Sequence, residues 1–386
     1  MLDQFSKQHP VLLLTPFPPE GGGGGGVILR SLILPELAEK VHWLNLAEAT
    51  PASRLPQRLA KFLDGMCVGI GAGRTAAAVE RLADGIGAKA IWVVAHGNAV
   101  AVAAALGRSG RFPLHLTVHD DPPFGVGRSS RRQRPFVRRI DRLFAQALRR
   151  AASIDVISQG MADRYRRRYG VASTVVHRAV PGAIAASPAR GRDELTIGVM
   201  GSTYDDRCLE ALADAISLAA RRLGVRGRIL AIGGGVGAKL RSHLPPAGPL
   251  DIELAGTLSE EEGIARLREC DLLYVNYPFT PRARVLGQTS FPTKLSSYVM
   301  SARPLLIHAP PDSTIAPIAQ AVPDYARLWA SNDPAAGAGV IEAYWHHSED
   351  AAGLREAACQ IRGSYFDAEI NRRVMFALLD KMVEEA

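Results

Sequence analysis

The sequence predicts an α/β protein made of two doubly wound, Rossmann-like domains that face each other across a cleft. Three observations carry that expectation. Short apolar runs suited to buried parallel strands alternate with amphipathic segments along most of the chain. Glycines cluster where several of these runs end and a helix begins. At 386 residues the chain is also long for a single hydrophobic core.

In order, Val11–Leu14 reads as a strand closed by Pro16, Pro18 and Pro19. Six glycines follow, Gly21 to Gly26, and Gly21, Gly22 and Gly23 open a loop expected to stay mobile until a ligand orders it. A helix is predicted over Val27–Lys40, kinked at Pro35, and a strand over Val41–Leu46. Met66–Ile70, Ala90–Ala95 and Leu114–Val118 are further strands, with helices at Thr75–Leu82 and Asn98–Leu106. Gly71-Ala72-Gly73-Arg74-Thr75-Ala76 fits the loose dinucleotide pattern, but His96 stands at the end of the next strand where an acid is required.

His119-Asp120-Asp121-Pro122-Pro123 follows the strand at Leu114. It is either a ligand-binding cluster at a strand's carboxyl end or a solvated turn. Arg128–Arg150 is the most basic segment, with Phe136, Val137, Ile140, Leu143, Phe144, Ala147 and Leu148 at helical spacing. Such a helix suits an anionic membrane surface, or a core-packed position with a solvated basic face. With no recognised motif and no aromatic platform, no nucleic-acid partner is expected.

Ile154–Ile157 is a strand, Ser158 a cap, and Met161–Tyr169 a helix ending at Gly170. Val175–Val180 is one more strand before a stretch rich in Pro, Ala and Gly, Pro181 to Asp193. The domains are placed at 1–184 and 194–365, with a linker at 185–193 and a last helix at 366–386 that packs back toward the N-terminal domain.

The second run opens with the strand Leu195–Met200, the loop Gly201 to Arg207 and the helix Leu209–Leu223. Strands at Arg228–Ile232 and Ile252–Leu254 run into Gly233 and Gly256, and Ser259-Glu260-Glu261-Glu262 marks a helix start. After the strand Asp271–Val275 comes Phe291 to Leu306. Here Thr293, Ser296 or Ser297 can cap a helix, Arg303-Pro304 ends it, and Leu305-Leu306-Ile307 is a buried strand. Lys294, beside the helix start, is placed to hold an anionic group.

A net charge of +8 points to anionic partners such as nucleotides or acidic lipid. Cys67, Cys208, Cys270 and Cys359 lack pairing or metal-ligand spacing and read as reduced structural thiols. No signal peptide is recognised and no apolar run is long enough to cross a bilayer, so a cytoplasmic protein is expected, peripheral at most to a membrane.

The order and spacing of Leu12–Gly26, His119-Asp120, Ala152–Ser158, Gly201–Arg207, Ile229–Gly235, Gly256 and Phe291–Leu306 resemble the GT-B glycosyltransferases, in particular the family 4 retaining enzymes. The resemblance implies transfer of a sugar from a nucleotide-sugar donor to a sugar, glycolipid or polysaccharide acceptor. It implies catalytic roles for His119 and Asp120. It gives the diphosphate to Arg207, Lys294, Thr293, Ser202 and Gly201, and the nucleoside to Ser297, Gly256 and Gly233. No D-x-D motif is present, so no metal or cofactor is expected and cations with helix N-termini must stabilise the leaving diphosphate.

Three parts of the family pattern are missing. Ser202 stands where an arginine is usual, Thr289 and Ser297 where paired glutamates are usual, and Arg178-Ala179 where Asn-Gly is usual. A nucleotide-sugar epimerase or hydrolase, or a silent nucleotide-sugar-binding relative, are the alternatives on the same fold.

Overall fold

The computed structural model describes residues 10–20, 23–33, 41–46, 69, 71–129, 136–188, 193–243, 250–347 and 350–384. The chain divides into two compact units, Met1–Ala179 with Ala368–Ala386, and Val180–Asp367. The last helix therefore belongs to the first unit.

The first unit contains β1 (Val11–Thr15), α1 (Gly23–Leu32), β2 (Val41–Asn45), α2 (Ala72–Gly85), β3 (Ala90–Val94) and α3 (Ala99–Ser109). It continues with β4 (Leu114–Val118), α4 (Pro122–Ser129), α5 (Val137–Arg150), β5 (Ser153–Val156), α6 (Gln159–Tyr169) and β6 (Thr174–Val175). The strands form one parallel sheet in the order β2-β1-β3-β4-β5-β6. β1, β3, β4 and β5 are buried along their whole length, because helices cover both faces of a parallel sheet. The C-terminal helix α15 (Ala368–Glu384) packs on α1, β4 and β5. Arg372 Nε donates to the Ser31 carbonyl at 2.9 Å, and the Asn371 side-chain oxygen accepts from the His177 amide at 2.8 Å.

Local expectations meet three differences here. Gly23 to Gly26 form the first turn of α1 and not a loop, while Gly21, Gly22 and Pro35 lie outside the described residues. The helix expected over Val27–Lys40 starts earlier, at Gly23, and ends at Leu32, while residues 34–40 lie outside the described residues. The strand expected over Val175–Val180 is reduced to the two-residue edge strand β6, and Val180 makes an isolated bridge to Asp367. Of the expected strand Met66–Ile70 only Gly69 is described.

The basic helix α5 is core-packed. Ile140, Phe144, Ala147 and Leu148 are buried, and Phe144 meets Tyr165 and Tyr169 edge-on at centroid distances of 5.4 and 5.6 Å. Arg138, Arg139, Arg142, Arg149 and Arg150 are exposed. Burying the apolar stripe leaves only the arginine face for a partner.

The second unit contains β7 (Glu194–Met200), α7 (Asp206–Leu223), β8 (Arg226–Ile232), α8 (Gly234–His243), β9 (Leu250–Gly256), α9 (Glu260–Leu267) and β10 (Leu272–Asn276). After a short 3₁₀ turn come α10 (Arg284–Thr289), α11 (Lys294–Ser301), β11 (Leu305–His308), α12 (Ala316–Ala321), β12 (Ala326–Trp329), α13 (Pro334–His347) and α14 (Ala351–Ile361). The strands again form one parallel sheet, ordered β12-β11-β10-β7-β8-β9. The chain winds outward from β7 through β9, then returns to lay β10 on the other side of β7. That reversal is the switch point, where open α/β sheets bind ligands at the carboxyl ends of their strands.

At this switch point β7 and β10 pair only at Ile197–Leu272 and Gly198–Leu273. Farther along, the buried Tyr298 of α11 bridges the two strands. Its hydroxyl accepts from the Met200 amide at 2.8 Å and donates to the Tyr274 carbonyl at 2.9 Å. Removing that oxygen leaves two buried backbone groups unpaired. Tyr298→Phe is expected to lower stability by about 2 kcal/mol, measured by urea denaturation. A change below about 0.5 kcal/mol would show that the bridge does not hold the strands.

Candidate functional site

Three glycines named from the sequence form the carboxyl edge of the second sheet. Gly201, Gly233 and Gly256 follow or end β7, β8 and β9 with φ of 72°, 101° and 71°. The left-handed region is costly for a residue with a Cβ, which explains glycine at these turns. The Gly201 amide donates to the Ile232 carbonyl at 2.8 Å and the Gly233 amide to the Gly256 carbonyl at 2.6 Å, so the three turns are tied in a row.

The loop after β7 is held by two lysines. Lys294 Nζ donates to the Ser202 carbonyl at 2.5 Å, which joins the first residue of α11 to this loop. Lys239 of α8 donates to the Thr203 carbonyl at 3.0 Å and pairs with Asp206 at 2.9 Å. Asp205 caps α7 by accepting from the Arg207 amide at 3.1 Å. Among the described residues the Arg207 guanidinium forms no ion pair, and the buried Thr203 hydroxyl has no hydrogen-bond partner. The loop after β7 and the start of α7 thus carry Gly201, Ser202 and Arg207, and Lys294 and Lys239 are bonded to that loop.

The start of α11 differs from the sequence expectation. Thr293 occupies the cap position but has helical torsions and no capping side chain. The Ser296 hydroxyl donates back to the Thr293 carbonyl at 2.8 Å, and the Ser297 hydroxyl donates to Glu260 Oε1 at 3.1 Å. None of the three caps the helix. Hydroxyls bond to whichever acceptor lies within reach, and here those acceptors are a carbonyl one turn back and a carboxylate on α9. The first N–H groups of a helix lack intrahelical partners, so this end carries partial positive charge beside Lys294. The C-terminal end is fixed by Arg303, which donates to the carbonyls of Arg268 and Pro188 at 2.6 Å.

Lys294 retains partial exposure as a residue, yet burial of its ammonium draws its pKa down to about 7. Desolvation penalises the charged form, and no carboxylate offsets the cost.

In the first unit, His119 follows β4 and packs against the first turn of α1. A Cβ on Gly25 would stand 3.1 Å from His119 Nδ1, so glycine there permits the close approach. His119 Nε2 is enclosed and has no hydrogen-bond partner. Burial lowers its pKa, against smaller opposing effects of Asp155 and Asp120, so the ring is neutral at pH 7. Asp120 is exposed. Asp121 is buried, accepts from the Phe124 amide at 2.9 Å to start α4, and lies 3.6 Å from Arg164. Burial raises the Asp121 pKa. The polar cluster therefore divides into an enclosed His119 packed against α1, an exposed Asp120 and a structural Asp121.

Cys208 and Cys270 are buried and Cys359 is exposed, all as free thiols, and Cys67 lies outside the described residues. Burial pushes the Cys208 thiol up to about 12, which makes it inert. Among the described residues no group of His, Cys, Asp and Glu side chains is arranged to hold a metal ion, and no helix is long and apolar enough to cross a membrane.

Residues 7–182 match the family model described as Glycosyltransferase Family 4. HepE of Anabaena, solved in complex with UDP and glucose, superimposes with a TM-score of 0.63 at 14% identity, over 97% of this chain and all of that one. The fold is GT-B. A glycosyltransferase from Rickettsia africae gives a TM-score of 0.62 at 10% identity, over 98% of this chain and 100% of that one. The α,α-trehalose 6-phosphate synthase of Burkholderia multivorans gives 0.59 at 14% identity, over 98% of each chain. No curated protein sequence matches the chain. The GT-B likeness spans both units.

Sequence reasoning missed Lys239, Glu260, Gly25 and the hydroxyl role of Tyr298. Tyr298 stands among the apolar positions of α11, and nothing in its spacing reveals that its oxygen reaches two strands. The depressed Lys294 gives a signed pH effect. Between pH 7 and pH 10 the native state has lost a proton that the unfolded state keeps, so stability rises with pH across that window. Lys294→Met removes this term. The stability of the parent relative to the variant is expected to increase from pH 7 to pH 9 in urea denaturation, and a pH-independent difference would contradict the burial of the ammonium.

Proposed function

We propose that the chain is a glycosyltransferase that moves a sugar from a nucleotide-sugar donor to an acceptor hydroxyl with retention of configuration. The observation that carries this reading is the cation-flanked loop Gly201–Arg207 at the switch point of a GT-B second unit. The family 4 match of residues 7–182 and the UDP and glucose held by HepE support it.

As the glycosidic bond breaks, negative charge builds on the leaving nucleoside diphosphate, and groups already in place lower that barrier. Gly201 and Ser202 offer close backbone approach, and Thr293 and Lys294 bring the positive end of α11. An arriving diphosphate favours the charged form of Lys294 and reverses the desolvation that lowered its pKa. Arg207 supplies a further cation from the first turn of α7. These residues provide charge without a metal, in keeping with the lack of a D-x-D motif. Neutral His119, with Nε2 unpartnered, suits a hydrogen bond to the donor sugar, and Asp120 stands beside it.

We assign the acceptor to the class of surface polysaccharide or glycolipid. The exposed face of Arg138, Arg139, Arg142, Arg149 and Arg150 fits a protein peripheral to an anionic cytoplasmic membrane surface. Binding to vesicles containing phosphatidylserine should weaken with each arginine reversed, by about 1 kcal/mol per charge removed. Unchanged binding of Arg138→Glu/Arg139→Glu would remove the membrane assignment.

A thermal-shift series with UDP, GDP and their sugars tests the donor reading. At least one nucleotide should raise the melting temperature, and Arg207→Ala and Lys294→Ala should each weaken that nucleotide about tenfold, the worth of a charge-assisted hydrogen bond. No shift with any nucleotide would overturn the reading. Nucleoside diphosphate released only when acceptor is present marks transfer, release without acceptor marks hydrolysis, and binding without release marks a silent relative.

A further inference from the structure

The first sheet has a switch point of its own. The chain passes from β1 outward to β2 and then returns to lay β3 on the other side of β1. Open α/β sheets bind ligands at the carboxyl edge where the strand order reverses in this way. Phe17 stands just past β1 and is half-buried. Trp43 of β2, also half-buried, meets it edge-on, with ring centroids 6.4 Å apart and planes at 62°. One buried hydroxyl fixes both residues. Thr15 Oγ1 accepts from the Trp43 indole nitrogen at 2.6 Å and donates to the Phe17 carbonyl at 2.5 Å. Arg30 of α1 holds the same loop by donating to the Pro19 carbonyl at 2.5 Å. Polar groups border this aromatic corner. A Cβ on Gly25 would stand 3.6 Å from Phe17 Cε1 and 3.1 Å from His119 Nδ1, so one point on α1 touches both rings. Exposed His96 follows β3, and exposed Asp120 follows His119.

We propose that Phe17 and Trp43 form the stacking platform of the acceptor site, and that the acceptor is a pyranoside presenting an apolar ring face. Its role as the acceptor site rests on the transferase reading given above. A pyranose carries C–H groups on its faces and hydroxyls around its rim. The C–H groups bear partial positive charge and meet the negative face of an aromatic ring, whereas the hydroxyls need donors and acceptors at its edge. Two rings set as a corner, with His96, His119 and Asp120 alongside, supply both halves of that requirement. Neither ring belongs to the buried core of the first unit. A large aromatic left half open forgoes burial that would stabilise the fold, and here the hydroxyl of Thr15 holds two of them in fixed orientation.

Trp92, Trp329 and Trp345 are buried, so among the four tryptophans Trp43 is the one whose emission a surface ligand can reach directly. The full chain is titrated with octyl β-glucopyranoside and octyl β-galactopyranoside below their micelle concentrations. The control is 1-O-octylglycerol, which has the alkyl chain and hydroxyls without a sugar ring. At least one glycoside should change tryptophan emission saturably, and octylglycerol should not. Phe17→Leu keeps apolar volume without a π face and should weaken that glycoside about fivefold to tenfold, while Phe17→Tyr should bind it as the parent does. Neither variant should alter the melting-temperature shift given by UDP or GDP, which also reports that both fold. No saturable change with either glycoside, equal binding of octylglycerol, or unweakened binding by Phe17→Leu overturns the proposal. A chain that ignores every nucleotide yet binds glycoside through Phe17 loses the transferase reading and keeps the carbohydrate platform.

Discussion

Past Gly198 the main chains of β7 and β10 stop pairing, and the hydroxyl of Tyr298 takes the place of the missing ladder. Everything proposed for the second unit depends on that bridge. It fixes the rotation and depth of α11 relative to the sheet, so that Lys294 at one end meets the Ser202 carbonyl and Ser297 meets Glu260. An apolar residue in its place would fill the volume and leave two buried backbone groups without partners. One oxygen within a core-facing helix thus ties α11 to both strands.

Around this bridge the edge combines two kinds of cheap preorganisation. Backbone geometry comes from Gly201, Gly233 and Gly256, whose left-handed torsions let adjacent turns bond to one another. Charge comes from Lys294, Lys239 and Arg207. Burial keeps the first of these near its titration point. In the first unit the same economy appears at His119, where Gly25 gives the ring room and burial keeps it neutral.

The fold was largely legible in the sequence, because parallel strands buried on both faces leave unbroken apolar runs such as Val11–Leu14, Ala90–Ala95 and Leu305–Ile307. Glycines with positive φ were legible for a similar reason, since Gly201, Gly233 and Gly256 each follow a strand. The site was legible as a location more than as a set of contacts. Thr293, Ser296 and Ser297 looked like competing caps, yet none caps, because a hydroxyl chooses its acceptor from tertiary neighbours that spacing does not reveal. Gly23–Gly26 looked like a loop by composition and is helical, because burial of Gly26, Ile28, Leu29 and Leu32 and packing on α15 offset the entropic cost of ordering glycine.

Glu260 belongs to the same lesson. Spacing alone places Ser297 at a helix start, whereas in the fold its hydroxyl bonds to a carboxylate on the neighbouring helix. The most direct test of the whole account is a crystal structure of the chain with UDP or GDP bound. It should place the diphosphate within hydrogen-bonding distance of Lys294 Nζ and the Gly201–Thr203 loop. A nucleotide bound away from the carboxyl edge of β7, or none bound at saturating concentration, would contradict the account.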